Sequence, residues 1–114
     1  AETIKDIGWM KGNPRFIEPN LSANLAYNAR FRELAADMGV AAASLAIAWL
    51  THQGDHVLPI PGTRKIEHLK EVAAGGCLEL SEEDLARIDA VLPVGWAHGD
   101  RYSEAQGIGP ERYC

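Results

Sequence analysis

The sequence predicts a mainly α fold, with about four helices and one short strand in 114 residues. Three observations carry this expectation. Apolar residues recur three and four apart in four separate segments, which is the period of one helix face. Glycine or proline closes each segment, and three of the four open on a serine or threonine that suits an N-cap. One run alone, His56–Ile60, is β-prone, and it carries a proline.

The first helix is expected to begin near Ser22 as N-cap. Tyr27, Phe31, Leu34, Ala35 and Met38 form its apolar face, while Arg30, Arg32, Glu33 and Asp37 sit mostly off it. Gly39 stops it. The second runs from about Ala41 to His52 and is apolar nearly all round, the mark of a buried helix. Gly54 ends it. The strand His56–Ile60 follows, and Pro59 places it at an edge, an end or a bulge. The third helix is expected over Arg64–Ala74, with Thr63 as N-cap and a stripe of Ile66, Leu69 and Ala73. Gly75 and Gly76 terminate it. The fourth opens on Ser81 and Asp84, a capping box with Asp in place of Glu or Gln. Its early acids, Glu82, Glu83 and Asp84, suit the helix dipole. It carries Leu85, Ile88, Val91 and Leu92 and stops at Pro93. The chain, 1–114, reads as a single domain, with residues 1–20 and 94–114 as irregular ends around a helical core over 21–93.

Composition narrows the function. The chain is 46% hydrophobic and 24% charged, ordinary for a globular domain, with a net charge of −5. Its 11 Lys and Arg are scattered, so no basic face for nucleic acid is expected. The longest apolar run, Val40–Leu50, is too short to span a bilayer, and no membrane partner is expected. Two cysteines, Cys77 and Cys114, make no disulfide framework and no zinc spacing, which suggests a reducing, cytoplasmic setting. AETIKDIGWM has no apolar core of a signal peptide.

Few single residues rise above a structural role. His52 and His56 are four apart, but Gly54 between them argues against a metal pair on one helix face. Trp49 belongs to the core, while Trp9 and Trp96 lie in irregular segments. Cys77 has no neighbouring His or cation and is expected to act as a small hydrophobe. The stretch PIPGTRK, Pro59–Lys65, is different. It sets a rigid turn, a hydroxyl and two cations at a helix start, which is chemistry suited to a phosphate.

Taken in order, LAIAWL (45–50), PIPGTRK (59–65), LSEEDLARIDAVLP (80–93) and GDRY (99–102) resemble the C-terminal portion of an aldo-keto reductase. The resemblance runs from about Asn20 to Glu104. It implies the last part of a (β/α)8 barrel, here rearranged as a small helical domain, with His56–Ile60 as the last barrel strand. It implies NADP(H) as cofactor, with Gly62, Thr63, Arg64 and Lys65 around the adenosine 2′-phosphate. His68 aligns with a position that is often Arg in the family. Glu71 aligns with the Glu of a Glu-Asn pair that contacts the adenine, and Val72 stands where the Asn would be. The family's catalytic Asp, Tyr, Lys and His lie on earlier strands, so no catalytic residue is assigned here.

Two functions follow as expectations. The first is a non-catalytic structural or interaction module. The second is an NADP(H)-binding fragment or subunit of a carbonyl oxidoreductase. Helix faces stripped of their barrel strands would be bare, so a homodimer through those faces is expected as well.

Overall fold

The computed structural model describes residues 12–105. Trp9, Met10, Tyr113 and Cys114 lie outside them. The described residues form four α-helices: α1 (Asn20–Asp37), α2 (Ala42–Thr51), α3 (Ile66–Gly75) and α4 (Glu82–Val91). A short 3-10 turn, Pro14–Phe16, precedes them. The chain divides into two compact units, Ala29–Val94 and the pair Ala1–Asn28 with Gly95–Cys114.

The unit over 29–94 is built around the predicted stripes. Phe31, Leu34 and Ala35 of α1, Leu45 and Ala48 of α2, Leu80, and Ile88 of α4 form its buried core. Met38, Trp49, Leu85, Val91 and Leu92 pack around them half-buried. Gly39 ends α1 in the left-handed region, at φ +71°. Gly39 N–H donates to Ala36 and Val40 N–H donates to Ala35, both at 3.0 Å, which is a Schellman closure.

α2 meets α3 at a point of close backbone approach. The Ser44 hydroxyl donates to the Glu71 carbonyl at 2.6 Å. A Cβ on Gly75 would stand 2.5 Å from the Ser44 carbonyl oxygen and 2.8 Å from the Ile47 Cβ. Gly75 is therefore the last residue of a packed helix as well as part of its terminator. α4 opens on the predicted capping box: Asp84 N–H donates to Ser81 Oγ at 3.1 Å, and Ser81 N–H donates to the Asp84 carboxylate at 3.1 Å.

His52 ties α2 to the segment before α4. Its Nδ1 lies 2.8 Å from the Ala48 carbonyl, and Leu80 N–H donates to its Nε2 at 3.2 Å. A ring that accepts at Nε2 and faces a carbonyl at Nδ1 is the neutral Nδ1–H tautomer. The Glu79 carboxylate lies 3.9 Å from Nε2 and is 97% exposed.

The other unit is stitched by asparagines. Asn13 accepts from Arg15 N–H and donates to the Arg101 carbonyl at 2.7 Å. The Asn24 amide donates to the carbonyls of Arg15 (3.1 Å) and His98 (2.9 Å), and its oxygen accepts from His98 N–H at 2.8 Å. Tyr27 packs against Trp96, with ring centres 5.7 Å apart. Gly99 sits at φ +84°, and a Cβ there would lie 2.6 Å from the Asn20 amide nitrogen and 2.8 Å from the Pro14 carbonyl. The glycine of GDRY thus serves close packing.

The structure corrects several expectations. There is no strand among the described residues. Val57 N–H donates to the Gly54 carbonyl, but 58–62 make no backbone ladder. Pro59 and Pro61 lack donors, and no second strand is there to pair with. α1 begins at Asn20 rather than near Ser22, because the Glu18 carboxylate accepts from Ser22 N–H at 3.2 Å and supplies the cap. The stripe Ile66, Leu69 and Ala73 is exposed, since α3 packs through Val72 and Gly75 instead. Cys77 is a free cysteine and is exposed.

Candidate functional site

The loop before α3 and the first turns of that helix hold every residue singled out for cofactor binding. α3 starts at Ile66, and its N-cap is Lys65, with extended backbone at φ −123° and ψ 139°. Thr63 is therefore not the N-cap. The residue whose carbonyl accepts the first helical bond is Lys65, through Leu69 N–H at 3.0 Å. The Thr63 hydroxyl folds over Lys65, donating to its carbonyl at 3.1 Å and receiving its N–H at 3.4 Å.

This helix start differs from that of α4. Ser81 and Asp84 cap α4, and three acids stand in its first turn. α3 has no side-chain cap, one acid (Glu67), and two cations just ahead of it. The first N–H groups of a helix have no intrahelical acceptor and carry the positive end of its dipole. Gly62, Thr63, Arg64, Lys65 and His68 are all exposed. Neither Arg64 nor Lys65 forms an ion pair among the described residues. Backbone donors, a hydroxyl and two unspent cations can together receive a phosphate.

The other two predicted positions lie on α3. His68 stands three residues after Lys65 and Glu71 three after His68, a spacing that follows one side of a helix. Glu71 is half-buried, and Ser44 holds its carbonyl. Val72 packs half-buried beside it and offers no amide.

Sequence reasoning missed the role of His52, because nothing in the chain order brings Leu80 to it. Both of its ring nitrogens are engaged, which leaves neither for a metal, and His56 is exposed at the turn after Gly54. No group of three metal-ligating side chains gathers among the described residues. No single helix there is long and apolar enough to cross a membrane.

The chain is 40% identical over 102 residues to a probable aldo-keto reductase 1 of Glycine max. The match takes in 90% of this chain and 30% of that relative, so the chain spans about a third of its length. No solved structure matches significantly. The profile of the aldo/keto reductase family matches residues 2–93. Most of the chain lies inside that match, the loop and all four helices included, and the chain belongs to the aldo/keto reductase family.

Proposed function

We propose that this chain carries the phosphate-holding part of an NADP(H)-dependent aldo-keto reductase. The observation that supports it is the start of α3: an uncapped helix directly behind two exposed cations that form no ion pair among the described residues. In this reading the N–H groups of the first turn and the Thr63 hydroxyl receive the adenosine 2′-phosphate. Arg64 and Lys65 neutralise it. The loop is open at Gly62, where a Cβ would meet nothing within 4 Å. His68 and Glu71 lie further along α3, toward the adenosine.

The bound cofactor would supply hydride to a carbonyl carbon. That reaction also needs a proton donor beside the carbonyl oxygen. The part proposed for this chain is binding and orientation of the nucleotide, with the proton donor supplied by residues it does not carry. A cytoplasmic setting belongs to the same proposal.

The test is a calorimetric titration of the 114-residue chain with NADPH, with NADH as the control. NADPH is expected to saturate more tightly than NADH. Replacing Arg64 and Lys65 together with Ala is expected to reduce NADPH to the level of NADH. Equal binding of the two nucleotides, or no saturation into the millimolar range, would overturn the reading.

A second reading, an interaction module, has its own observation. Leu58 and Ile60 are 83% and 95% exposed, and Ile66 and Leu69 follow at 68% and 53%. Apolar side chains gathered this way mark a surface that another surface covers.

A further inference from the structure

Ser44 carries the only hydroxyl in the run Ala42–Leu50, where every other residue is Ala, Leu, Ile or Trp. It is 5% exposed. A serine inside a helix ordinarily returns its hydroxyl to a carbonyl three or four residues back on the same helix. The Ser44 hydroxyl has one O–H to give, and it goes across to the Glu71 carbonyl of α3 at 2.6 Å. The helical pattern already assigns that carbonyl to Gly75 N–H, four residues on. A carbonyl oxygen has two lone pairs and accepts from both donors. α3 therefore does not need Ser44 to satisfy its backbone, and what the bond adds is placement. We propose that Ser44 is a positioning residue for the phosphate site at the start of α3, acting through the Glu71 carbonyl. This inference rests on the reading of that helix start as the holder of the 2′-phosphate.

Two contacts hold α3 on α2, and both end on Ser44. The hydroxyl takes the helix at Glu71. One turn further, the two backbones meet at Gly75, where a Cβ would lie 2.5 Å from the Ser44 carbonyl oxygen and 2.9 Å from the Ser44 Cα. With a rise of about 1.5 Å per residue, Glu71 stands about 6 Å from Gly75 along the axis and the N-cap Lys65 about 15 Å from it. A helix held at Gly75 alone pivots there. A tilt that moves Glu71 by about 0.5 Å then moves Lys65 by about 1.3 Å. The second contact removes this freedom.

The hydroxyl also fixes rotation, because the carbonyl it holds lies off the helix axis. Lys65, His68 and Glu71 follow one side of α3 at intervals of three, so the earlier two turn with the third. Backbone N–H groups and cations hold a phosphate only in a narrow geometry, and a misplacement of about 1 Å can cost about 100-fold where geometry decides.

The test is the affinity ratio of NADPH to NADH, read by calorimetric titration of the 114-residue chain and its variants. Ser44→Ala deletes the hydroxyl, adds no volume, and leaves the Glu71 carbonyl its helical donor. NADPH is expected to weaken by on the order of tenfold, with NADH, which lacks the 2′-phosphate, changed much less. Ser44→Cys keeps the side-chain volume with only a weak donor and is expected to lose the preference as well. It carries the test if circular dichroism shows Ser44→Ala unfolded. Asp84→Asn weakens the cap of α4 without touching α3, and its ratio is expected to match that of the parent. A parent that prefers NADPH alongside Ser44 variants with the same preference would overturn the positioning role and leave the phosphate reading standing. An equal loss of preference in Asp84→Asn would overturn the positioning role too, because general destabilisation would then explain it. A parent with no preference for NADPH would overturn both.

Discussion

Replacing Gly75 with Ala sets two effects of opposite sign against each other. Ala is the better helix former, by about 1 kcal/mol in a helix interior and by less at the last helical residue. Gly75 closes α3 without a positive φ, so its backbone would accept Ala. Propensity alone predicts a small stabilisation. Packing predicts the reverse, because the new Cβ would lie 2.5 Å from the Ser44 carbonyl oxygen and 2.9 Å from the Ser44 Cα. Both are backbone atoms of α2 and cannot rotate aside. The helices would have to separate, straining the 2.6 Å bond from Ser44 to the Glu71 carbonyl. Overpacking of this kind costs about 1–3 kcal/mol. The net expectation is a loss of about 1–2 kcal/mol. For a chain of this size that is a fall in Tm of roughly 4–10 °C. Gly76→Ala is the control. Its Cβ meets only the Ala73 carbonyl oxygen, at 3.5 Å, and Tm is expected to hold or rise slightly. Thermal unfolding followed by circular dichroism reads both variants. A Gly75→Ala variant as stable as the parent would refute the close approach of α2 and α3.

Three further outcomes are expected. The Ser81 hydroxyl, helped by the Ser81 N–H and by Arg87 and opposed by slight desolvation, holds the Asp84 carboxyl below the ordinary aspartate range. A depressed carboxyl contributes stability above its unfolded-state value and loses it as pH falls through its folded one. Acidification from about pH 6 to pH 2 should therefore lower Tm less in Asp84→Asn than in the parent. An equal fall in both would remove the capping box from the account. His52→Ala leaves the buried Leu80 N–H without its acceptor, at a cost of about 1–3 kcal/mol in a urea titration. The Leu80 amide should also lose its protection against hydrogen exchange. Asn24→Ala breaks the three bonds that Asn24 makes to the backbone of Arg15 and His98. The His98 amide is expected to exchange faster and Trp96 fluorescence to shift red, whereas an unchanged Trp96 spectrum would mean that Tyr27 alone seats the ring.

The helices were legible because their signals are local. The stripe from Phe31 through Leu34 and Ala35 follows from spacing on one chain segment. Gly39 and the Ser81–Asp84 box act within a few residues of themselves, so chain order alone reveals them. The resemblance carried by PIPGTRK and LSEEDLARIDAVLP likewise survives reading in one dimension, and it gave the family. Local signals misled where two partners competed. Ile66 and Leu69 form a proper helical stripe, but α3 packs through the side that carries Gly75, where α2 comes close. His56–Ile60 has the composition of a strand, yet a strand exists only through the backbone of another.

Sequence by itself determined where the helices lie, how they are closed, and that a hydroxyl and two cations stand before α3. Tertiary structure alone decided that Ser44 and Gly75 meet, that His52 receives Leu80, that Asn24 grips His98, and that Arg64 and Lys65 have no ion pair among the described residues. The difference is physical. Periodicity and capping are energies between near neighbours, while each of those contacts depends on residues tens of positions apart whose meeting is set by the packing of the whole core.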